Sequence, residues 1–363
     1  MISPDSITER TWLARIPLSN IRRRACPLNT RRAYQTSQAA KGRLLAVEDP
    51  SLRNKLRTRG VELDMTRSYG LILALISAAV LLTAADPPVT VGFELHKNVV
   101  FVKASIGDSE PLEMALDSGG VRTTLDEAVA TKLGLDLSMR AQSSGARGMQ
   151  EISVLKGLTL RFAGLEVTEP LMVAYPLDFL SKALGRRVDG IIGVELFRKY
   201  VVEIDYPKHQ IRILAPDNYA YAGPGEAVPV TYDRRLPIVP GSVTPFGGKP
   251  IPARFQVDTG GARSSVMLWK GFVAKHGLSA GARDVTEVPV TGFGGTTRQK
   301  QGRIQAMQVG KIAVTEPMVG LNDFQYGDPN IFDGNLGSGF LKDFKVVFDL
   351  PHDRLILERP AAQ

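Results

Sequence analysis

Leu116-Asp117-Ser118-Gly119-Gly120 recurs as Val257-Asp258-Thr259-Gly260-Gly261, 141 residues further along the chain. Each copy is an apolar strand end followed by an aspartate, a small hydroxyl residue and two glycines. That pattern reads as a tight, exposed turn. One such turn implies no chemistry, but other segments repeat with it. Val167-Thr168-Glu169-Pro170 returns as Val314-Thr315-Glu316-Pro317 at an offset of 147. Asp189-Gly190-Ile191-Ile192-Gly193 returns as Asp333-Gly334-Asn335-Leu336-Gly337, and Tyr200-Val201-Val202-Glu203-Ile204-Asp205 as Phe344-Lys345-Val346-Val347-Phe348-Asp349, both at 144. Four collinear matches at nearly one spacing identify a duplicated lobe.

Each lobe reads mostly as short strands. Apolar or alternating runs occupy 98–106, 111–116, 158–162, 171–173, 201–204 and 211–214. Their counterparts are 253–257, 304–309, 346–348 and 355–357. Turn residues separate them at short intervals, which argues for an all-β architecture. Short helices are expected at 126–133 and 269–276, after the aspartate turns, and at 195–199 and 339–342, after the second repeated turn. The segment 215–226, rich in Pro, Gly and Tyr, is the expected lobe boundary, giving lobes over 86–222 and 223–363.

Two lobes related by a pseudo-two-fold axis bring equivalent loops together, as in a symmetric dimer. Asp117 and Asp258 then meet at the axis. Neighbouring carboxylates cannot readily both ionise, so they share one proton. The ionised member is a general base toward a bridging water, and the protonated member polarises a carbonyl. The titration belongs to the pair, so the sequence assigns neither role to a particular aspartate.

These residues resemble the retropepsin-type aspartic proteases in a two-lobed, single-chain form. The family motif is Asp-Thr/Ser-Gly-Ala/Ser with a Ser or Thr six positions after the Asp, here Thr123 and Ser264. The hydrophobic-hydrophobic-Gly element of the family is matched by Ile191-Ile192-Gly193 and less cleanly by Asn335-Leu336-Gly337. The resemblance spans about residues 90–358. It implies a mostly β fold of two β-barrel lobes with the cleft between them. It implies Asp117 and Asp258 as the catalytic pair, with Ser118 and Thr259 exchanging hydrogen bonds beneath them. Gly119 and Gly260 would let the carboxylates sit close, their carbonyls facing substrate backbone. A hairpin flap is also implied. Its candidates are the Gly145, Arg147, Gly148 segment and the Gly292, Phe293, Gly294 segment, with an ordinary glycine hairpin as the alternative.

Two features depart from the family pattern. Gly120 and Gly261 stand where Ala or Ser is usual, which loosens the loop. Arg122 and Arg263 lie five positions after each aspartate. They pair with nearby carboxylates, touch substrate or are solvated; near the dyad they would lower its proton affinity.

Charge and composition narrow the function further. The chain has 363 residues, 45 Lys+Arg and 37 Asp+Glu, a net charge of +8. Residues 1–64 hold 13 basic and 6 acidic groups, and 65–85 add only Arg67. The remainder holds 31 of each, so the lobes carry no basic excess of the kind that favours nucleic acid. One cysteine, Cys26, excludes an internal disulfide framework and a Cys-rich zinc site. Four dispersed histidines give no metal or triad spacing, and no Gly-x-Ser-x-Gly elbow occurs. No metal and no cofactor are expected.

Met65, Arg67, the apolar run 71–82 and Thr83-Ala84-Ala85 read as a secretory signal. The run is short for a membrane span, which needs about 20 residues, so an uncleaved anchor over 70–85 is the alternative. Residues 1–64 are a basic extension or transit-like leader, or an over-read of the frame upstream of a true start at Met65. The expectation is a periplasmic or secreted aspartic endopeptidase acting on peptides or proteins. It needs no nucleic acid, meets a membrane only if the signal stays uncleaved, and is complete as a monomer. A processing protease of narrow specificity fits the same residues. A non-catalytic peptide-binding protein of the same fold is the alternative outside the enzymes.

Overall fold

The computed structural model describes residues 88–145, 148–261, 265–325 and 330–360. They belong to one compact unit, Leu82–Gln363. The basic extension and the apolar run at 71–82 lie outside the described residues. Among the described residues, no helix is long and apolar enough to cross a membrane.

The architecture is mostly β, in three sheets. A six-stranded sheet has the order Val89–Gly92, Gln210–Leu214, Val201–Asp205, Lys345–Asp349, Arg354–Glu358, Glu226–Pro229. Its first three strands come from the first repeat and its last three from the second. The two central strands are antiparallel, with Val202 opposite Phe348, Glu203 opposite Val347 and Ile204 opposite Val346. Glu203 and Val347 are separated by 144 residues, the repeat offset, so each strand lies against its own copy. An antiparallel pair with equivalent residues opposite each other has a two-fold axis through that pair. The sheet therefore locates the axis that the repeat implied.

Each repeat also builds its own curled sheet, and the two resemble half-barrels. The first runs Glu94–His96, Val99–Ile106, Leu112–Leu116, Gly190–Ile192, Thr124–Asp126, Leu165–Tyr175, Gly148–Phe162, Arg140–Gly145. It folds back where Ser105 pairs with Arg161 and Ile106 with Leu160. The second runs Arg283–Gly292, Gly295–Arg303, Met318–Leu321, Val266–Leu268, Gly334–Gly337, Ile251–Asp258, Leu236–Thr244, Ala306–Val309, Ile312–Thr315, with Thr231–Asp233 beside Leu236–Thr244. Strands such as Val99–Ile106 are buried at every position except Lys103 and Ser105. They read as continuous apolar runs because both faces are covered.

In both lobes the aspartate-bearing strand runs parallel to the second repeated turn. Leu116 pairs with Ile192, and Val257 with Leu336. The Asp-Gly that opens this turn is structural. Asp189 accepts from Glu113 N at 2.8 Å, and Asp333 accepts from Arg254 N at 2.9 Å. The glycine beside it allows two backbones to cross. A Cβ at Gly190 would lie 2.6 Å from the Thr124 carbonyl oxygen, and one at Gly334 would lie 2.3 Å from that of Met267.

The helices follow the expected turns: Glu127–Lys132, Val194–Lys199, Lys270–Lys275 and Ser338–Leu341. Asp126 caps the first by accepting from Ala128 N and Val129 N. Two further helices, Asp178–Leu184 and Leu278–Gly281, lack a sequence signal strong enough to mark them. The larger departure is strand length. Gly148–Phe162 has 15 residues and Leu165–Tyr175 has 11, where sequence periodicity marks only 158–162 and 171–173. The outer portion of the first, 148–151, is exposed or partly so and has no apolar alternation, whereas the second does alternate, with Leu165, Val167 and Glu169 buried between exposed Glu166 and Thr168.

The core is continuous between the repeats. Phe197 of the first packs edge-to-face on Phe348 of the second, with centroids 4.8 Å apart, and both rings are fully buried. Phe348→Ala is expected to lower the unfolding free energy by about 3–5 kcal/mol, the usual cost of an emptied aromatic core site. Denaturant unfolding of the full chain measures it.

A buried carboxylate braces the first lobe below its aspartate turn. Glu195 Oε2 accepts from Thr123 N at 3.0 Å, and Thr123 Oγ1 accepts from Gly193 N at 3.2 Å. Arg122 Nη1 stands 3.6 Å from Glu195 Oε1. Burial, reinforced by the Glu169 carboxylate and opposed by Arg235 and Arg122, pushes Glu195 from 4.5 up to about 7. The native state therefore holds this proton through a window in which the unfolded chain has released it. Stability from this group is complete below pH 4.5 and declines as pH rises toward 7. Glu195→Gln is expected to remove up to about 3 kcal/mol of that decline. Unfolding free energies across pH 4 to 8, wild type against variant, would show an unchanged slope if the group titrated normally.

Candidate active site

The two aspartate turns meet, and the hydroxyl residues lock them. Ser118 N donates to Thr259 Oγ1 at 2.9 Å, and Thr259 N donates to Ser118 Oγ at 3.1 Å. Each hydroxyl then donates onward across the interface, Ser118 Oγ to the Val257 carbonyl at 2.9 Å and Thr259 Oγ1 to the Leu116 carbonyl at 2.8 Å. Only a hydroxyl can accept and donate from one atom in this way. Both side chains are fully buried, so every bond in the exchange is shielded from water.

The glycines set the separation of the carboxyls. Gly119 N donates to Asp117 Oδ1 at 2.8 Å, and Gly260 N donates to Asp258 Oδ1 at 2.9 Å. A Cβ on Gly119 would lie 2.7 Å from Asp258 Cγ, and one on Gly260 would lie 2.6 Å from Asp117 Cγ. Each glycine therefore seats the carboxyl of the opposite lobe, and any side chain there would push it away. Asp117 and Asp258 share a hydrogen bond. Burial, and then the charge of Asp258, holds Asp117 well above the usual carboxylate range. Asp258 is raised by burial too, against the hydrogen bonds it receives from Asp117 and Asn335. The arrangement sets two carboxyls side by side, each partly exposed.

The remaining expected residues divide. Gly120 N and Gly261 N each donate 3.2 Å to the carbonyl of their own aspartate, closing both turns in the same way. Val194 N donates to the Gly120 carbonyl and Ser338 N to that of Gly261, both at 2.8 Å, which docks each aspartate turn on its following helix. Thr123 braces Glu195 as described. Arg122 faces Glu195, which is the first of the three readings left open for it, pairing with a nearby carboxylate. Ser264, Arg263 and Arg147 lie outside the described residues.

Both glycine segments are hairpin tips. Gly145 pairs with Gly148, and Gly292 with Gly295. Gly294 and Gly295 have φ of 88° and 120°, a region that favours glycine. The second hairpin reaches the first lobe. The Phe293 ring meets Tyr175 edge-to-face at 4.5 Å, and the hairpin strands pack on the helix Asp178–Leu184.

Two site residues escaped sequence reading as functional. Asn335 Nδ2 donates to Asp258 Oδ2 at 2.6 Å. Gln256 Nε2 donates to the Gly119 carbonyl at 3.3 Å, engaging an oxygen expected to face substrate alone. The only signal for Asn335 was its intrusion into a hydrophobic-hydrophobic-Gly element. Gln256 sits in an apolar strand and gave none. Among the described residues, no group of three or more His, Cys, Asp or Glu side chains converges as a metal site does.

The family model described as "Aspartyl protease" matches residues 102–196 and 239–340, one segment per repeat. Each segment contains one aspartate turn and its following turn. Among solved structures, an aspartic proteinase from Irpex lacteus is similar at 14% identity and a TM-score of 0.48, over 75% of this chain and 97% of that one. No curated protein matches. The two matched segments cover more than half of the chain and hold both halves of the carboxyl pair, and on that ground the chain belongs to the aspartyl protease family.

Proposed function

We propose that the chain is an aspartic endopeptidase that hydrolyses peptide bonds with a water held between Asp117 and Asp258. The observation that carries this reading is the carboxyl pair, seated lobe against lobe by Gly119 and Gly260 above the Ser118–Thr259 exchange. Such a pair holds one proton and one negative charge. The ionised carboxylate removes a proton from the water, whose oxygen attacks the carbonyl carbon. The protonated carboxyl gives its proton to the carbonyl oxygen. On collapse, one hydroxyl of the tetrahedral species returns its proton to the dyad as the C–N bond breaks, and the departing nitrogen takes up a proton from the dyad, which ends with one proton as it began. The fixed N–H donors of Gly119 and Gly260 keep both carboxyls oriented throughout, so little reorganisation accompanies the charge movement. The hairpin carrying Phe293 acts as the lid over bound peptide.

The address read from residues 65–85 belongs to this proposal. The enzyme is exported to the periplasm or secreted, or is held at a membrane through 70–85.

The test is cleavage of a diverse peptide pool by the full chain from acid to neutral pH. Asp117→Asn and Asp258→Asn are each expected to lower kcat/KM by at least about 10²–10⁴-fold, the contribution of positioned acid–base groups. Gly119→Ala is expected to lower kcat while leaving the chain folded, because its methyl displaces the Asp258 carboxyl. Cleavage that survives either aspartate change would dismiss the shared dyad. Peptide binding without cleavage by the wild type would leave the non-catalytic reading in its place.

A further inference from the structure

The two lobes differ at one pair of neighbouring positions below the aspartates. In the first lobe Ala115 pairs with Ile191, and in the second Gln256 pairs with Asn335. The offsets of 141 and 144 make these the same two sites of the repeat. Apolar side chains thus stand in one lobe where two amides stand in the other. Both amides are buried, at 1% and 4% exposure.

Asn335 Nδ2 reaches Asp258 Oδ2 at 2.6 Å. Its twin, Ile191, has no group to donate to Asp117. The opposite amide orientation would set a carbonyl against the carboxylate, so the nitrogen is the atom that faces it. Asn335 Oδ1 finds no partner among the described residues. An apolar residue would fit the strand without that desolvated oxygen, as Ile191 does. The amide is therefore kept at a cost to stability, and its gain is the bond to Asp258.

We propose that Asn335 is a positioning residue that breaks the symmetry of the dyad, holding the negative charge on Asp258 and leaving the shared proton on Asp117. A donated hydrogen bond favours the charged form of the carboxyl that accepts it. Resting on the endopeptidase reading, this makes Asp258 the base toward water and Asp117 the acid toward the carbonyl. Few other titratable groups act on the pair. Tyr206 is buried beside it, and burial followed by the Asp258 charge raises its phenol, so it stays neutral through the working range. Arg122 is turned to Glu195. Arg263 lies outside the described residues.

The test is a carboxyl titration of the full chain with ¹³C-labelled aspartate, the two signals assigned with Asp117→Asn and Asp258→Asn. In the wild type, between the two macroscopic steps, Asp258 is expected to give the carboxylate signal and Asp117 the acid signal. Asn335→Ile, which installs the residue of the first lobe, is expected to spread the charge over both. It should also raise the lower step by about 1–2 pH units, a tenfold to hundredfold change in proton affinity. The acid limb of the pH–rate profile should move by the same amount, a shift that lost packing alone would not produce. Asn335→Leu serves should the branched side chain not pack. Charge on Asp117 in the wild type overturns the proposal without any variant. So does a folded variant with the wild-type lower step. If the wild type cleaves no peptide, the endopeptidase reading fails while the titration still judges the role of Asn335.

Discussion

The exchange of hydrogen bonds between Ser118 and Thr259 is the constraint on which the site depends. Two carboxyls at close range repel when both are charged and lose solvation when buried. A loop that met only its own lobe would relieve both problems by moving apart. Here each hydroxyl accepts a backbone N–H from the opposite turn and donates to a carbonyl of the opposite strand, at 2.8 to 3.1 Å throughout. Neither turn can shift without breaking bonds that no water can replace. The six-stranded sheet supplies a second anchor on the same local axis, where Glu203 lies opposite Val347. Two points on one axis leave the lobes little freedom to separate at the aspartates.

Symmetry of backbone does not carry symmetry of chemistry. The docking bonds at Gly120 and Gly261 match to the same distance, and so do those of Gly120 N and Gly261 N to their aspartate carbonyls. The side chains around them diverge. The first lobe braces its turn with Glu195 and Arg122, where the second repeat has Gly339 in place of the glutamate. The second lobe places Asn335 and Gln256 where the first has Ile191 and Ala115. A duplicated fold begins with two equal carboxyls, yet peptide hydrolysis needs one acid and one base. In the role proposed for Asn335, unequal side chains on an equal backbone supply that difference.

Much of this was legible in the sequence because the repeat is short-range and compositionally plain. Asp117-Ser118-Gly119 and Asp258-Thr259-Gly260 carry residues that few other local structures require, and their collinearity with Asp189-Gly190 and Asp333-Gly334 made the pairing of lobes readable. The long hairpin strands were not readable. The burial of Arg283–Gly292 is exposed or partial at every position, so its alternation carries no apolar period. The role of Arg122 stayed open in the sequence for a different reason. Its proximity to Asp117 in sequence suggested an effect on the dyad, but the buried carboxylate it faces lies 73 residues away along the chain. Which carboxyl a cation meets is a property of packing, not of spacing.

The buried carboxyls also tie working conditions to stability. Asp117, Asp258 and Glu195 are all raised, in each case with burial as the largest cause. A carboxyl whose native pKa is raised binds a proton that the unfolded chain has already lost, so it favours the fold more as pH falls toward the unfolded value. Burial raises Glu113 as well, but its bonds to Lys103 and Arg186 together outweigh it and hold that carboxyl below the usual range, so it acts in the opposite sense. The raised groups are the deeper ones, where solvent screens least. An aspartate pair and a brace whose carboxyls are all raised therefore draw the stability maximum toward acid. The acid that favours a protonated Asp117 is the same condition that holds Glu195 neutral beneath it.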